Sequence, residues 1–161
     1  MSIRIIATGG TFDKRYDPIT GALAFGDTHL EQILARSRAD ANLRVEALMQ
    51  IDSLEMHDEH RARVLSACRD CAEQRVVVVH GTDTMVQTAK ALGEAALAKT
   101  VVLTGAMIPY DIAGSDALFN LGFALGAART LSPGVYVAMN ARVFRWNEVR
   151  KNRALGVFEA S

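Results

Sequence analysis

Val76-Val77-Val78-Val79-His80-Gly81-Thr82-Asp83-Thr84 is the stretch from which the fold can be read. Four valines in a row are apolar on both faces of a pleat, as a parallel strand covered by helices on both sides requires. The abrupt change to glycine, hydroxyl and carboxylate marks the strand's end. Working outward, comparable β-branched runs occupy Ile3 to Ala7, Arg44 to Ile51, Val101 to Leu103 and Val135 to Met139. Between them the apolar period becomes helical. Leu30, Ile33 and Leu34 follow i, i+3, i+4 within Asp27 to Arg38, where Thr28 and Glu31 can form a capping box. Leu65, Cys68 and Ala72 stripe residues 58 to 74, and Met85, Ala89, Leu92 and Ala96 stripe residues 84 to 98. Ser115 and Asp116 start a further helix that Ser132-Pro133-Gly134 stops near Leu131. Strand and helix alternate throughout. That order predicts an α/β domain with a doubly wound, mostly parallel sheet and helices on both faces; if its strands follow the flavodoxin-like order 2-1-3-4-5, the first and third flank the switch point and Thr11 lies beside Thr82 and Asp83.

With 161 residues, 50% hydrophobic and 22% charged, the chain has the size and balance of one domain with its own core. Eighteen basic residues against eighteen acidic ones leave a formal net charge of zero. The long-range field that draws proteins to nucleic acid or anionic lipid is therefore missing, and a small-molecule partner is expected, with no nucleic acid and no membrane. No apolar run approaches the roughly 18 residues of a membrane span, and Met1-Ser2 leads straight into the first strand without a signal-peptide pattern, which predicts a cytoplasmic protein. Two cysteines are too few for a disulfide framework.

Ligands of an open parallel sheet bind beyond the carboxyl ends of its strands. Those ends read Thr8-Gly9-Gly10-Thr11, Asp52-Ser53, His80-Gly81-Thr82-Asp83-Thr84 and Thr104-Gly105-Ala106-Met107. Glycines let backbone approach a ligand, while hydroxyls and a carboxylate supply directional hydrogen bonds. Residues Phe12 to Gly26 form a long loop of the kind that serves as a lid, with Tyr16 placed to fold over Thr11; a surface hairpin without a role is the plain alternative.

Ile6-Ala7-Thr8-Gly9-Gly10-Thr11 and His80-Gly81-Thr82-Asp83-Thr84-Met85 closely resemble, in order, the two signature motifs of the bacterial L-asparaginase family, the asparaginase/glutaminase enzymes with a threonine nucleophile. The resemblance continues through Gly105-Ala106-Met107-Ile108-Pro109, Ser115-Asp116 to Phe119-Asn120-Leu121, Val137-Ala138-Met139-Asn140 and Glu148-Val149-Arg150-Lys151. It implies an asparaginase N-terminal-domain-like fold over residues 1–161. Family members usually carry a second, C-terminal domain, so the resemblance implies a short form consisting of the catalytic domain alone. Carried onto matching positions, it makes Thr11 the nucleophile that attacks the side-chain amide of asparagine and Tyr16 the mobile-loop tyrosine. Thr82, Asp83 and Lys151 match the family's polar triad, and Ser53 matches the serine that binds the α-carboxylate. Substrate contacts are implied at Gly10, Ser53, Gly81, Thr82, Asp83 and Ala106. Leu54 departs from the family, standing where glutamine is common. No metal and no cofactor are implied, and the family is generally oligomeric, so a homo-oligomer is expected.

An alcohol is a poor nucleophile at neutral pH, so Thr11 needs a base. Tyr16 is one candidate and Thr82 activated by Lys151 is the other; backbone amides near Thr82 are candidates for an oxyanion hole. Lysine is scarce, four among eighteen basic residues, which makes Lys151 more pointed.

Plainer readings stand beside these. Thr8 to Thr11 also fits a phosphate-cradling turn, Asp83 and Thr84 fit helix N-caps, and Ser53 fits an ordinary turn. Cys68-Arg69-Asp70-Cys71 falls late in a helix with no second pair, against redox or zinc roles; His57 and His60 lack the i, i+4 spacing of a zinc-protease helix. His80 is expected to be structural. Arg142, Arg145, Arg150, Lys151 and Arg153 are expected on a subunit contact or a solvated face. The function expected is hydrolysis of L-asparagine to L-aspartate and ammonia, with weaker substrate binding than in long-chain relatives and little glutaminase activity. The rivals are an amino-acid-binding or sensory module without turnover and an amidase for another small carboxamide.

Overall fold

The computed structural model describes residues 1–39 and 42–161. In chain order it contains β1 (Ile3–Gly9), a 3-10 turn (Thr11–Asp13), β2 (Lys14–Asp17), β3 (Ala22–Phe25), α1 (Leu30–Arg36), β4 (Leu43–Ile51), a second 3-10 turn (Ser53–Glu55) and α2 (Asp58–Asp70). There follow β5 (Arg75–Val79), α3 (Met85–Glu94), β6 (Thr100–Thr104), α4 (Ala117–Thr130), β7 (Gly134–Met139), β8 (Arg142–Arg145), β9 (Val149–Asn152) and β10 (Val157–Ala160).

The main sheet runs β4-β1-β5-β6-β7-β8. Its first five strands are parallel in the flavodoxin-like 2-1-3-4-5 order, and β8 adds an antiparallel edge. Strand alternation divides the core. Ile5, Ala7, Val77, Val79, Val102 and Ala138 face α1 and α4, whereas Ile6, Val76, Val78, Leu103, Val137 and Met139 face α2 and α3. The valine run thus fills both layers, which is why it carries no polar alternation.

Several expectations need correction. Thr28 and Glu31 do not form a capping box: the Thr28 hydroxyl donates instead to Asp13 Oδ1 at 3.0 Å, and the helix begins later, at Leu30. The stripe on α2 runs through Val64 and Cys68, with Leu65 only partly buried and Ala72 beyond the helix end. Ala96 likewise lies outside α3, in a left-handed conformation with φ 48°. The loop Phe12 to Gly26 is a 3-10 turn followed by the antiparallel hairpin β2–β3. The basic C-terminal stretch forms β8 and the hairpin β9–β10, on which Arg142, Arg145, Arg150 and Arg153 are exposed, as a solvated face requires, and only Lys151 turns inward.

Candidate active site

Register sets the frame. β1 pairs with β5 from Arg4 opposite Val76 to Ala7 opposite Val79, and Val79 in turn lies opposite Thr104 of β6, so three central strands end level. Thr8 Oγ1 donates to Val79 O at 2.9 Å and His80 N donates to Thr104 O at 2.8 Å, tying those ends together. Beyond them the chain packs without room for side chains. A Cβ on Gly10, whose φ is 73°, would collide with the Cα and N of Gly81. A Cβ on Gly81 would lie 2.6 Å from Ser53 Oγ. Gly10, Gly81 and Ser53 therefore stack, and this brings the Thr11 turn beside both Thr82 and the Ser53 turn.

Thr82, Asp83 and Lys151 converge. Lys151 Nζ donates to Thr82 Oγ1 and to Asp83 Oδ1, each at 2.8 Å. The pleat explains why a residue so late in the chain arrives there: Lys151 sits opposite Phe158 and two residues from Val149, and both of these are buried. Its side chain shares their inward face and is only 11% exposed. Arg150, on the other face, pairs outward with Glu159 at 2.9 Å. The Thr82 hydroxyl donates to Met107 Sδ at 3.5 Å, a weak acceptor.

Neither Asp83 nor Thr84 caps α3 with its side chain. Thr84 Oγ1 instead donates to Ser53 O at 2.7 Å, fixing the Ser53 turn from below. Ala106 is buried. Its loop hangs on Asp116, which accepts from Met107 N and Ile108 N, and on Asn120, whose Nδ2 donates to Gly105 O at 3.0 Å and to Asp116 Oδ2 at 2.8 Å. Tyr16 lies on β2 and is 59% exposed.

His80 is structural, as expected. Its Nδ1 lies 2.7 Å from Gly81 O and its Nε2 lies 2.8 Å from Thr88 Oγ1. Complete burial pushes its pKa down to about 4. Cys68 and Cys71 are free thiols, and burial pushes Cys68 up to about 12, far from redox chemistry. His57 N donates to His60 Nδ1 at 3.0 Å, so the histidine pair opens α2. Among the described residues no group of three or more His, Cys, Asp or Glu converges as a metal site.

Sequence reasoning missed the supports of the Thr11 turn. Asp13, buried, accepts from Thr28 Oγ1 and from His29 N; burial raises its pKa. His29 is also buried, its pKa lowered by desolvation, with Nε2 3.4 Å from Asp111 Oδ2. Tyr110 N donates to Phe12 O at 3.2 Å. Lys14 Nζ meets Asp52 Oδ2 at 2.5 Å, and this bond holds the Asp52 carboxyl below its usual range. Only Asp52 carried a local signal, an aspartate opening a turn.

The asparaginase N-terminal family model matches residues 2–159. An L-asparaginase of Thermococcus kodakarensis is 30% identical over 162 residues, covering 98% of this chain and 49% of that protein. A glutamyl-tRNA(Gln) amidotransferase subunit from Methanococcus maripaludis is 34% identical over 145 residues, covering 86% of this chain and 35% of that protein. The chain thus spans half or less of these relatives. Among solved structures, the thermostable T. kodakarensis L-asparaginase superposes with a TM-score of 0.86 at 30% identity, over 99% of this chain and 51% of that one. A probable cytoplasmic L-asparaginase from Campylobacter jejuni gives 0.83 at 30% identity, over 99% and 52%. Level strand ends, the stacked Gly10–Gly81–Ser53 turns and these matches along the chain lead to one assignment: the protein belongs to the asparaginase family, with that family's N-terminal domain fold.

Proposed function

We propose that the chain hydrolyses L-asparagine to L-aspartate and ammonia through an acyl-enzyme on Thr11, with little action on glutamine. The observation that carries this reading is the contact of Lys151 Nζ with Thr82 and Asp83 beside the Thr11 turn. Thr11 Oγ1 adds to the side-chain amide carbon while its proton passes to a base. The C–N bond then breaks, the nitrogen takes up that proton and ammonia leaves a β-aspartyl ester. Water, activated the same way, breaks the ester and restores Thr11. Asp83 Oδ1 is engaged by Lys151, so Oδ2 is left for the substrate α-ammonium, while Ser53 takes the α-carboxylate. Gly10, Gly81 and Ala106 line the substrate with backbone. Hydrolysis by this route uses side chains, backbone and water.

As base we assign Thr82 backed by Lys151. As Thr82 takes the Thr11 proton it passes its own to Lys151 Nζ, 2.8 Å away and acting at that step as a free amine. That proton otherwise rests only on a thioether, so it is re-aimed at small cost, and it returns by the same path to the leaving nitrogen. Tyr16, the other candidate, sits exposed on its hairpin and serves as cover.

Residues 1–161 are proposed to hold a catalytic domain of the asparaginase type, in which Thr11, Tyr16, Ser53, Thr82, Asp83 and Lys151 all lie. A homo-oligomer is supported by the outward apolar face of α4, where Leu118 and Phe119 are exposed and a cavity of about 500 Å³ is lined by Gly122, Phe123, Gly126 and Val143. A cytoplasmic location is supported by the C. jejuni neighbour, and no helix among the described residues is long and apolar enough to cross a membrane.

The test is ammonia release from L-asparagine and L-glutamine by wild type and Thr11→Ala. Release from asparagine that vanishes in the variant is the expected result; no release from either amide by folded wild type overturns the reading. A second reading is favoured by the amidotransferase relatives, namely that the ammonia serves a second enzyme. Equal turnover of glutamine and asparagine favours it.

A further inference from the structure

Lys14 and Arg15 are consecutive residues of β2, so the pleat sends their side chains to opposite faces of the hairpin. Each grips a different element. Lys14 Nζ reaches Asp52 Oδ2 at 2.5 Å and lies 5.5 Å over the ring of Phe25, its cross-strand partner. Arg15 Nη2 donates to Asp27 O at 3.1 Å and lies 3.3 Å from His29 Nδ1. The hairpin is thereby held at its root on both faces, while its tip stands free, with Ile19 93% exposed.

The Lys14 grip has a second consequence. Asp52 is the residue before Ser53, and its other oxygen, Oδ1, accepts from Leu54 N at 3.0 Å, which shapes the Ser53 turn. Lys14 follows directly on the turn that carries Thr11. One carboxylate therefore joins the turn bearing the nucleophile, the hairpin bearing Tyr16 and the turn bearing Ser53. The backbone adds ties between the neighbouring strand ends, with Gly9 paired to Ile51 and Gly10 N donating to Ile51 O at 3.0 Å. At side-chain exposures of 20% and 28% the pair is partly shielded, so it is screened less than a surface pair.

We propose that Lys14 and Asp52 are positioning residues for amide hydrolysis, an ion pair that holds the Thr11 turn and the Tyr16 hairpin at the distance from Ser53 that the substrate requires. This rests on Thr11 being the nucleophile. A small misplacement of a reacting group costs up to about 10²-fold in rate, so the pair acts on turnover more than on binding.

The test compares Lys14→Met, Asp52→Asn, the double variant and Lys14→Arg by asparagine kinetics and by amide hydrogen exchange over residues 11–17 and 22–25. Each single variant is expected to lower kcat by about 10-fold with a smaller change in KM. The double variant is expected to lose no more than the worse single one, because both remove the same link. Lys14→Arg is expected to regain kcat to within about 3-fold, since it restores the charge on Asp52. Exchange over the hairpin is expected to rise by about 10-fold in the two single variants, and not in Lys14→Arg. Independent, additive losses, or unchanged kcat and exchange, overturn the proposal. If wild type releases no ammonia, the assignment of Thr11 fails, and the exchange arm then decides alone whether the pair holds the hairpin.

Discussion

Lys151 Nζ and Thr82 Oγ1 are 2.8 Å apart across 69 residues of sequence. The contact is built by the C-terminal hairpin, whose inward residues Val149 and Phe158 are buried against the layer formed with α2 and α3. A lysine takes its place on that buried face only because Thr82 and Asp83 satisfy its ammonium.

Replacing Lys151 by methionine keeps the length of the stem and removes both hydrogen bonds. The expected outcome is a fall in kcat for asparagine of about 10²- to 10⁴-fold, the usual worth of a general base. Adding Thr11→Ala should cause no loss beyond that of Thr11→Ala alone, as for groups that act as a unit. Tyr16→Phe is expected to cost far less; steady-state ammonia assays on the set decide between the two candidate bases.

Gly10→Ala must fail on two counts, a φ of 73° and a Cβ placed into Gly81 backbone. Backbone cannot yield as a flexible side chain does. The expected destabilisation is about 2 kcal/mol or more, read by denaturant unfolding, together with loss of ammonia release.

His80 gives a pH dependence with a definite sign. Folding lowers its pKa from 6.5 to about 4, so between those values the unfolded chain binds a proton that the folded one refuses. Its contribution to stability is complete above pH 6.5 and is lost as pH falls through the window, on the order of 3 kcal/mol when fully titrated. His29, lowered mainly by burial, acts in the same direction. Unfolding free energy should therefore drop from pH 7 to pH 4, and the slope should be smaller in His80→Asn.

Asn120 is buried and joins three segments, donating to Gly105 O and Asp116 Oδ2 and accepting from Asn140 N at 3.1 Å. Asn120→Leu orphans those groups, keeps the branch at Cγ and adds volume to a buried position. The expected cost is about 3 kcal/mol, measured by chemical denaturation.

Much of this was legible in the chain. Val76 to Val79 and the matching runs declared buried parallel strands because a strand covered on both sides has no polar face to show. The glycines and hydroxyls that follow them marked the ligand edge, and two ordered motifs carried the family resemblance. Less was visible in Lys14 to Phe25 and in Arg142 to Ala160. Those hairpins are short strands without a clean apolar alternation, stabilised by cross-strand pairs such as Lys14 with Phe25 and Arg150 with Glu159 that no local period announces. Thr28 looked like half of a capping box because the pattern is local, but its hydroxyl donates to the buried Asp13 carboxylate and accepts only from Leu30 N at 3.4 Å, a link to a distant segment that no local pattern announces.

From the sequence alone came the alternation of parallel strands and helices, the two-layered core and the residues at the strand ends, all consequences of local period and burial, whereas the 2-1-3-4-5 order was a likeness to flavodoxin-like sheets that pairing between distant strands decided. Tertiary structure alone decided which of those residues meet. Gly10 against Gly81, Gly81 against Ser53, Lys151 upon Thr82 and Lys14 upon Asp52 are contacts between segments far apart in the chain, and they depend on register and close packing, which operate in three dimensions and leave no period along one.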